Sequence, residues 1–314
     1  MIILLGPQRL APVVGEVAAS YGVAGHAAVI TAGWQEREAE DEELFAALGM
    51  PGVNLQLYAR WEEVARTDPA LFAAHRERQD RLRALEELYD GRLRHVMAAA
   101  RELMRAEGPL GLIESERESA IDAVRELDDH HLRRVAAIHA EFDARVKPTE
   151  HPALARHREQ IRDVLARSEV VAIAGGHVGV LLNRLRLFGL GDAIGDRHVI
   201  AWSAGAMVCC GRIALFHDSP PQGAGNAEVF EHGLGLCPDY VALPHAKRRL
   251  RMSDPVRVAL MARRLAPATP LTLELRDHVA LDGGRVVGAA GACALGHDGS
   301  VTPIRPAAAA GGAA

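Results

Sequence analysis

Aromatic side chains are scarce in this 314-residue chain, at 4% of the total. A core built without them has to be aliphatic, and the abundance of Ala, Leu, Val and Arg favours helix over much of the length. Cysteine is nearly as rare. Cys209, Cys210, Cys237 and Cys293 form no CxxC and no metal-ligand spacing, which fits reduced thiols in a cytosolic protein better than a disulfide or zinc framework. Excess positive charge is missing too: 36 basic against 41 acidic residues leave a net charge of −5, so nucleic acid is not an expected partner and any basic recognition is local. No apolar run approaches the roughly 20 residues of a membrane span. The opening Met1-Ile2-Ile3-Leu4-Leu5, followed by Gly-Pro, lacks the charged start and cleavage site of a secretory signal and reads as a first strand. A cytoplasmic location without membrane attachment is the expectation. With 49% hydrophobic and 25% charged residues the chain is an ordinary globular one, long enough for one large domain or two modest ones.

Short, almost wholly apolar runs occupy residues 2–5, 27–31, 53–57, 170–174, 198–202, 240–243 and 271–275. Strands buried on both faces of a parallel sheet read this way. Helical patterns separate them, notably over 179–188 and from 204 onward, so the alternation predicts an α/β fold with a doubly wound, mostly parallel sheet. Between residues 68 and 168 the strand signal disappears. Leu82, Leu85, Tyr89, Leu93, Met97, Ala100 and Met104 recur at helical spacing, and so do Ile121, Val124, Leu127, Leu132, Val135, Ile138 and Phe142. Gly108-Pro109 marks a break, and Pro148 and Pro152 mark a second, which predicts two long antiparallel helices and a shorter third. The expected organisation is a first part of the α/β domain over 1–67, a helical insertion over 68–168, the rest of the α/β domain over 169–304 and a disordered tail over 305–314. The insertion reads as a solvated hairpin that packs on itself or on a partner copy, giving a homodimer; a lid over the site is the alternative. The cluster Asp128-Asp129-His130-His131 has no companion ligands, so no metal is expected there.

The chemistry concentrates where predicted strands end. Ser203 follows the apolar run 198–202 and precedes a helix-compatible stretch of small residues, which would hold its hydroxyl on a tight turn. The pattern G-x-S-x-G is met in part, with Ala201 at the first glycine position and Gly205 at the second. A helix cap is the competing reading of such a serine. The run 170–174 leads into Gly175-Gly176, which frees the backbone to turn and aim amides at an oxyanion; with His177, Val178 and Gly179 it makes neither GxGxxG nor a phosphate loop, so no dinucleotide cofactor is expected. His245 follows the run 240–243 and Pro244, where an imidazole could serve Ser203 as base; a loop histidine capping the next helix is the plainer reading. Asp218 and Asp277 are two acids that could orient it, and the residues alone leave that choice open.

The order Gly-Gly, Trp-Ser-Ala-Gly-Ala, Pro-His and a late acid resembles the dipeptidase E and cyanophycinase family of serine peptidases, which has the class I glutamine-amidotransferase-like fold. The likeness covers the N-terminal sheet segments and residues 169 to about 290, and leaves the helical insertion without a counterpart. It implies Ser203 as nucleophile, His245 as catalytic histidine and the Gly176 and Ala204 amides as oxyanion hole. Asp277 stands where the family has a glutamate in its last strand-end motif, and Asp218 matches an acid soon after the nucleophile; Asp277 is favoured. His177 replaces a polar Asn or Asp beside the Gly175 turn, which points to altered specificity. Arg248, Arg249 and Arg251 could meet a substrate carboxylate, or could form an exposed basic helix face. The implied reaction is hydrolysis of peptide or isopeptide bonds next to aspartyl groups in a small peptide or acidic small molecule, through an acyl-enzyme and with no metal or organic cofactor. The alternatives are a catalytically silent relative that binds a small acidic ligand, and an amidase or amidotransferase-like protein. The last uses cysteine at the elbow, which neither Cys209 nor Cys210 occupies.

Overall fold

The apolar runs become strands because each is buried from both sides. A computed structural model describes residues 1–216 and 226–306. In chain order the first half contains β1 (Ile2–Leu5), α1 (Val14–Ser20), β2 (Ala27–Ile30), a 3₁₀ turn (Ala32–Arg37), α2 (Glu42–Leu48), β3 (Gly52–Asn54), α3 (Leu57–Thr67), α4 (Pro69–Arg105), α5 (Leu110–Val146) and α6 (Pro152–Ala166). It continues with β4 (Val170–Ile173), α7 (Val178–Leu187), α8 (Leu190–Ala193), β5 (His198–Trp202), α9 (Ala204–Cys209), β6 (Arg212–Leu215), β7 (Glu228–His232) and β8 (Tyr240–Pro244). The last part holds α10 (Ala246–Arg249), α11 (Pro255–Leu265), β9 (Thr269–Leu273), β10 (His278–Asp282), β11 (Arg285–Ala290), β12 (Cys293–Leu295) and β13 (Val301–Pro303).

The main sheet has the order β11-β10-β1-β5-β4-β2-β3. Its pairings from β1 to β3 are parallel, whereas β10 and β11 add an antiparallel edge. Successive strand residues feed opposite faces, as the period of two requires. Leu4, Ile30, Ile173 and Ala201 join one core with Leu57, Trp61, Ile161, Leu181 and Leu185 from α3, α6 and α7. Ile3, Val29, Ala172 and Ile200 join the other with Val14, Val17, Leu44 and Leu48 from α1 and α2. The result is the three-layer α/β arrangement that the alternation of strand and helix predicts. The late strands depart from a single sheet: β8 and β9 pair in parallel and, with β12 and β13, make a separate four-stranded sheet.

Helices α4 and α5 run for 37 residues each, about 55 Å at 1.5 Å per residue. Asp68 caps the first, accepting from Leu71 N at 2.9 Å with Pro69 in the first turn. Leu93, Ala100, Val124 and Leu127 close the hairpin on itself, together with Leu260 of α11. The hairpin is also anchored to the α/β body. Leu71, Phe142, Leu154 and Leu165 belong to the larger main core. Arg264 of α11, 1% exposed, reaches Asp128 of α5 with Nε–Oδ2 at 2.6 Å and Nη2–Oδ1 at 2.7 Å. Tyr89 of α4 donates to the same carboxylate at 2.7 Å and accepts from Arg264 and from the Val229 amide of β7. Two members of the Asp-Asp-His-His cluster therefore serve docking: Asp128 holds Arg264, and His131 stacks on Tyr89 with Nε2 3.1 Å from Phe230 O. Among the described residues no helix is long and apolar enough to cross a membrane.

Candidate active site

Six segments meet at the carboxyl ends of β1, β2, β4, β5, β8 and β9, the usual place for a site in an α/β sheet. Ser203 leaves β5 with φ 51° and ψ −120°, a conformation that side chains other than glycine rarely take. Its amide donates to Leu5 O at 3.2 Å. The serine holds the N-cap position of α9 yet its side chain makes no cap bond and is half-buried, so the hydroxyl is left for another use. Gly205 lets α9 approach: a Cβ there would lie 2.1 Å from Ile173 O.

Beside this elbow sits Gly175, whose Cβ would fall 2.8 Å from Ser203 Cβ and 3.3 Å from Trp202 O. Gly176 has φ +110°, and its Cβ would strike Gly33 O at 2.3 Å. The His177 amide donates to that same Gly33 oxygen at 2.8 Å. The loop after β2 thereby braces the loop after β4, with an all-backbone contact that only glycine permits. Among the described residues neither the Gly176 nor the Ala204 N–H donates to a protein acceptor. Two such amides flanking an uncommitted hydroxyl can hold a developing oxyanion. His177 is exposed and caps α7 through Nδ1, which accepts from Val180 N at 3.2 Å and so leaves the ring proton on Nε2.

His245 follows β8 in the left-handed region, at φ 59° and ψ 31°, half-buried and without a side-chain cap bond. Its amide donates to Leu273 O at 3.1 Å, which extends the parallel ladder one step beyond the pair Pro244 and Leu273. Glu274 follows Leu273 directly and stands just past the end of β9, as His245 stands just past the end of β8. Glu274 Oε1 accepts from Lys247 N at 2.6 Å. Its carbonyl packs on Gly6, where a Cβ would lie 1.7 Å away, and Gly6 follows Leu5, the acceptor of the Ser203 amide. The end of β1 is thus a shared wall between the serine elbow and the Glu274 turn.

The two expected acids fare differently. Asp277 folds back into its own turn: Oδ2 accepts from Glu274 N at 2.8 Å, and Oδ1 fills the space where Gly291, at φ +70°, has no side chain. Burial raises its pKa, with the negative charge of Glu274 adding to the shift. Asp218 lies outside the described residues. Glu274, a carboxylate inside the apolar run 271–275, is not among the acids expected from the sequence. Of the cations after His245, Arg248 lies in α10, and Arg249 Cζ sits 5.5 Å from the centroid of the Phe216 ring.

No curated protein matches the sequence. Among solved structures, a candidate peptidase E of Listeria monocytogenes EGD-e aligns with a TM-score of 0.43 at 12% identity, over 91% of this chain and 96% of its own. A peptidase from an acI-B1 Actinobacterium aligns with a TM-score of 0.31 at 14% identity, over 68% of this chain and 86% of its own. The family model for peptidase family S51 matches residues 122–282, slightly more than half of the chain and the part that carries Gly175, Ser203, His245 and Glu274. The chain belongs to peptidase family S51, the family of dipeptidase E and cyanophycinase, and is a serine-type peptidase.

Proposed function

We propose that Ser203 is the nucleophile of this peptidase and His245 its general base, with the Gly176 and Ala204 amides as the oxyanion hole. The observation that carries this reading is the Ser203 backbone: a non-glycine residue held at φ 51° beside Gly175, with a hydroxyl that caps nothing. His245 takes the hydroxyl proton as Ser203 attacks the carbonyl, the oxyanion rests on the two amides, and the leaving amine receives the proton. Water then releases the acyl group by the same route in reverse order. We assign the orienting carboxylate to Glu274 ahead of Asp277, because Glu274 adjoins Leu273, the acceptor of the His245 amide, and reaches the Lys247 amide, whereas Asp277 closes a turn. The class I glutamine-amidotransferase-like frame belongs to the same proposal.

For substrate we propose a small peptide or isopeptide cleaved next to an aspartyl group. The Gly175 turn and the exposed His177 flank the approach to Ser203, and α10, carrying Arg248 and Arg249, puts positive charge one turn beyond His245. The direct test is an active-site probe. A fluorophosphonate should label wild-type protein on Ser203, fail on Ser203→Ala, and react at least about 100-fold more slowly with His245→Ala. α- and β-aspartyl dipeptides assayed alongside define the scissile bond. An adduct at another serine, or labelling of Ser203 that ignores His245, would overturn the assignment.

A further inference from the structure

Helix α9, which has Ser203 at its N-cap, ends at Cys209 with its last carbonyls turned to one short stretch of chain. Leu234 N donates to Val208 O at 2.7 Å, Cys237 N to Cys209 O at 3.0 Å and Gly235 N to Cys210 O at 3.2 Å. A helix that stops there offers these carbonyls no partner of its own. Gly233 lets the stretch come this close, since a Cβ on it would lie 2.2 Å from Cys210 O and 2.6 Å from Val208 O. The same stretch runs on into β8, which leads to His245.

At this join lies the sulfur of Cys210, which is fully buried. It donates to Ala206 O of α9 at 3.4 Å and accepts from Ala242 N of β8 at 3.3 Å. Among the described residues β8 is the edge strand of its sheet, so an amide turned away from β9 meets no further strand of that sheet and takes the sulfur as acceptor. The Cys237 thiol, also buried, faces Cys209 O at 3.3 Å and Cys210 Sγ at 3.9 Å. Its hydrogen bond to Cys210, and burial after that, raise its pKa, so the proton stays on Cys237. Ala206 lies three residues after Ser203, and Ala242 three before His245. One thiol is therefore bonded to the supports of both.

We propose that Cys210 is a positioning residue: its thiol sets the separation of Ser203 and His245 by tying the helix behind the one to the strand that carries the other. This rests on the assignment of that serine and histidine as nucleophile and base. Proton transfer between them requires hydrogen-bond reach, and a displacement of about 1 Å can cost on the order of 100-fold in rate. Each sulfur contact is weak, but the two hold the atom from opposite elements in a close-packed core.

Cys210→Ser and Cys210→Ala test this, because their side chains are of similar volume and only the hydroxyl can accept from Ala242 N and donate to Ala206 O. The readout is the rate of fluorophosphonate labelling at Ser203, with stability measured in parallel by urea unfolding. Cys210→Ala should label about tenfold more slowly than wild type, and Cys210→Ser within about threefold of wild type, even where serine is the less stable variant. Cys210→Val, apolar but large enough to leave no void, should be slow like Cys210→Ala, which keeps the comparison should the alanine protein not fold. On a His245→Ala background there is no base to place, so adding Cys210→Ala should change the rate by less than about twofold. Equal rates for Cys210→Ser and Cys210→Ala, rates that merely follow stability, or an undiminished loss on the His245→Ala background would each overturn the proposal. Full-rate labelling of Ser203 in His245→Ala alone would bring down the assignment of the pair, and this proposal with it.

Discussion

Ser203 stands in a backbone conformation that glycine occupies freely and serine does not. Such residues cost on the order of 1–3 kcal/mol and persist where the surrounding structure over-determines them. Ser203→Gly should therefore be a trade: inactive, yet more stable than wild type by about 1 kcal/mol, after the greater chain entropy of glycine offsets part of the relieved strain. A denaturant midpoint below that of wild type would show the conformation to be unstrained. A second contrast concerns the acids. Glu274→Gln should lower kcat by at least about 100-fold with little change in KM, whereas Asp277→Asn should act mainly on stability, by loosening the turn that holds Glu274. The reverse order of effects on kcat would return the role to Asp277. Ser203 and Gly175-Gly176 were legible in the sequence because tight turns are local: strand, small residues and helix lie within a few positions. Glu274, our proposed orienting acid, is not marked in that way, because it and His245 lie far apart in the chain and come together only where the ends of β8 and β9 lie side by side.

The hairpin of α4 and α5 shows the same division at the scale of elements. Its helices and their break near Gly108-Pro109 follow from the 3.6-residue spacing of apolar side chains. Its docking does not, because the buried polar contacts that fix it come from a helix more than a hundred residues later. Arg264, Asp128 and Tyr89 are buried, and each finds its partners in the other two. Arg264 also donates to Ala227 O at 2.6 Å. Removing one partner leaves a buried charge, so Asp128→Asn or Arg264→Met should each destabilise by about 3–5 kcal/mol. Asp128→Leu combined with Arg264→Met removes both charges and should cost far less than the two single changes added together. A double-mutant cycle read by urea unfolding checks this, and additive losses would mean that the pair is not coupled.

At the scale of the whole molecule, histidines sit where the helical hairpin meets the α/β body. His75 of α4 lies between Trp61 of α3, with ring centroids 4.3 Å apart, and Phe142 of α5, and its Nε2 meets Asn183 of α7 at 2.9 Å. Burial, reinforced by the charge of Arg78, depresses its pKa to about 3. His131 and His157 are also lowered, first of all by burial. The folded protein therefore keeps these rings neutral where an unfolded chain would protonate them. A depressed histidine gives stability that is whole above the unfolded pKa of 6.5 and is lost as pH falls from there toward the folded value. For His75 alone the loss is about 1.4 kcal/mol per pH unit across that window. Since Leu71 and Phe142 belong to the main core, loosening at this junction should melt hairpin and sheet together. Thermal unfolding at pH 7.5 and 5.5, followed by circular dichroism and by tryptophan fluorescence, should show one transition that moves sharply downward with acid. His75→Gln keeps a partner for Asn183 but cannot titrate, so its melting temperature should fall less over the same range. Equal falls in the two proteins would remove His75 from the account, and two separated transitions would show that the hairpin melts on its own.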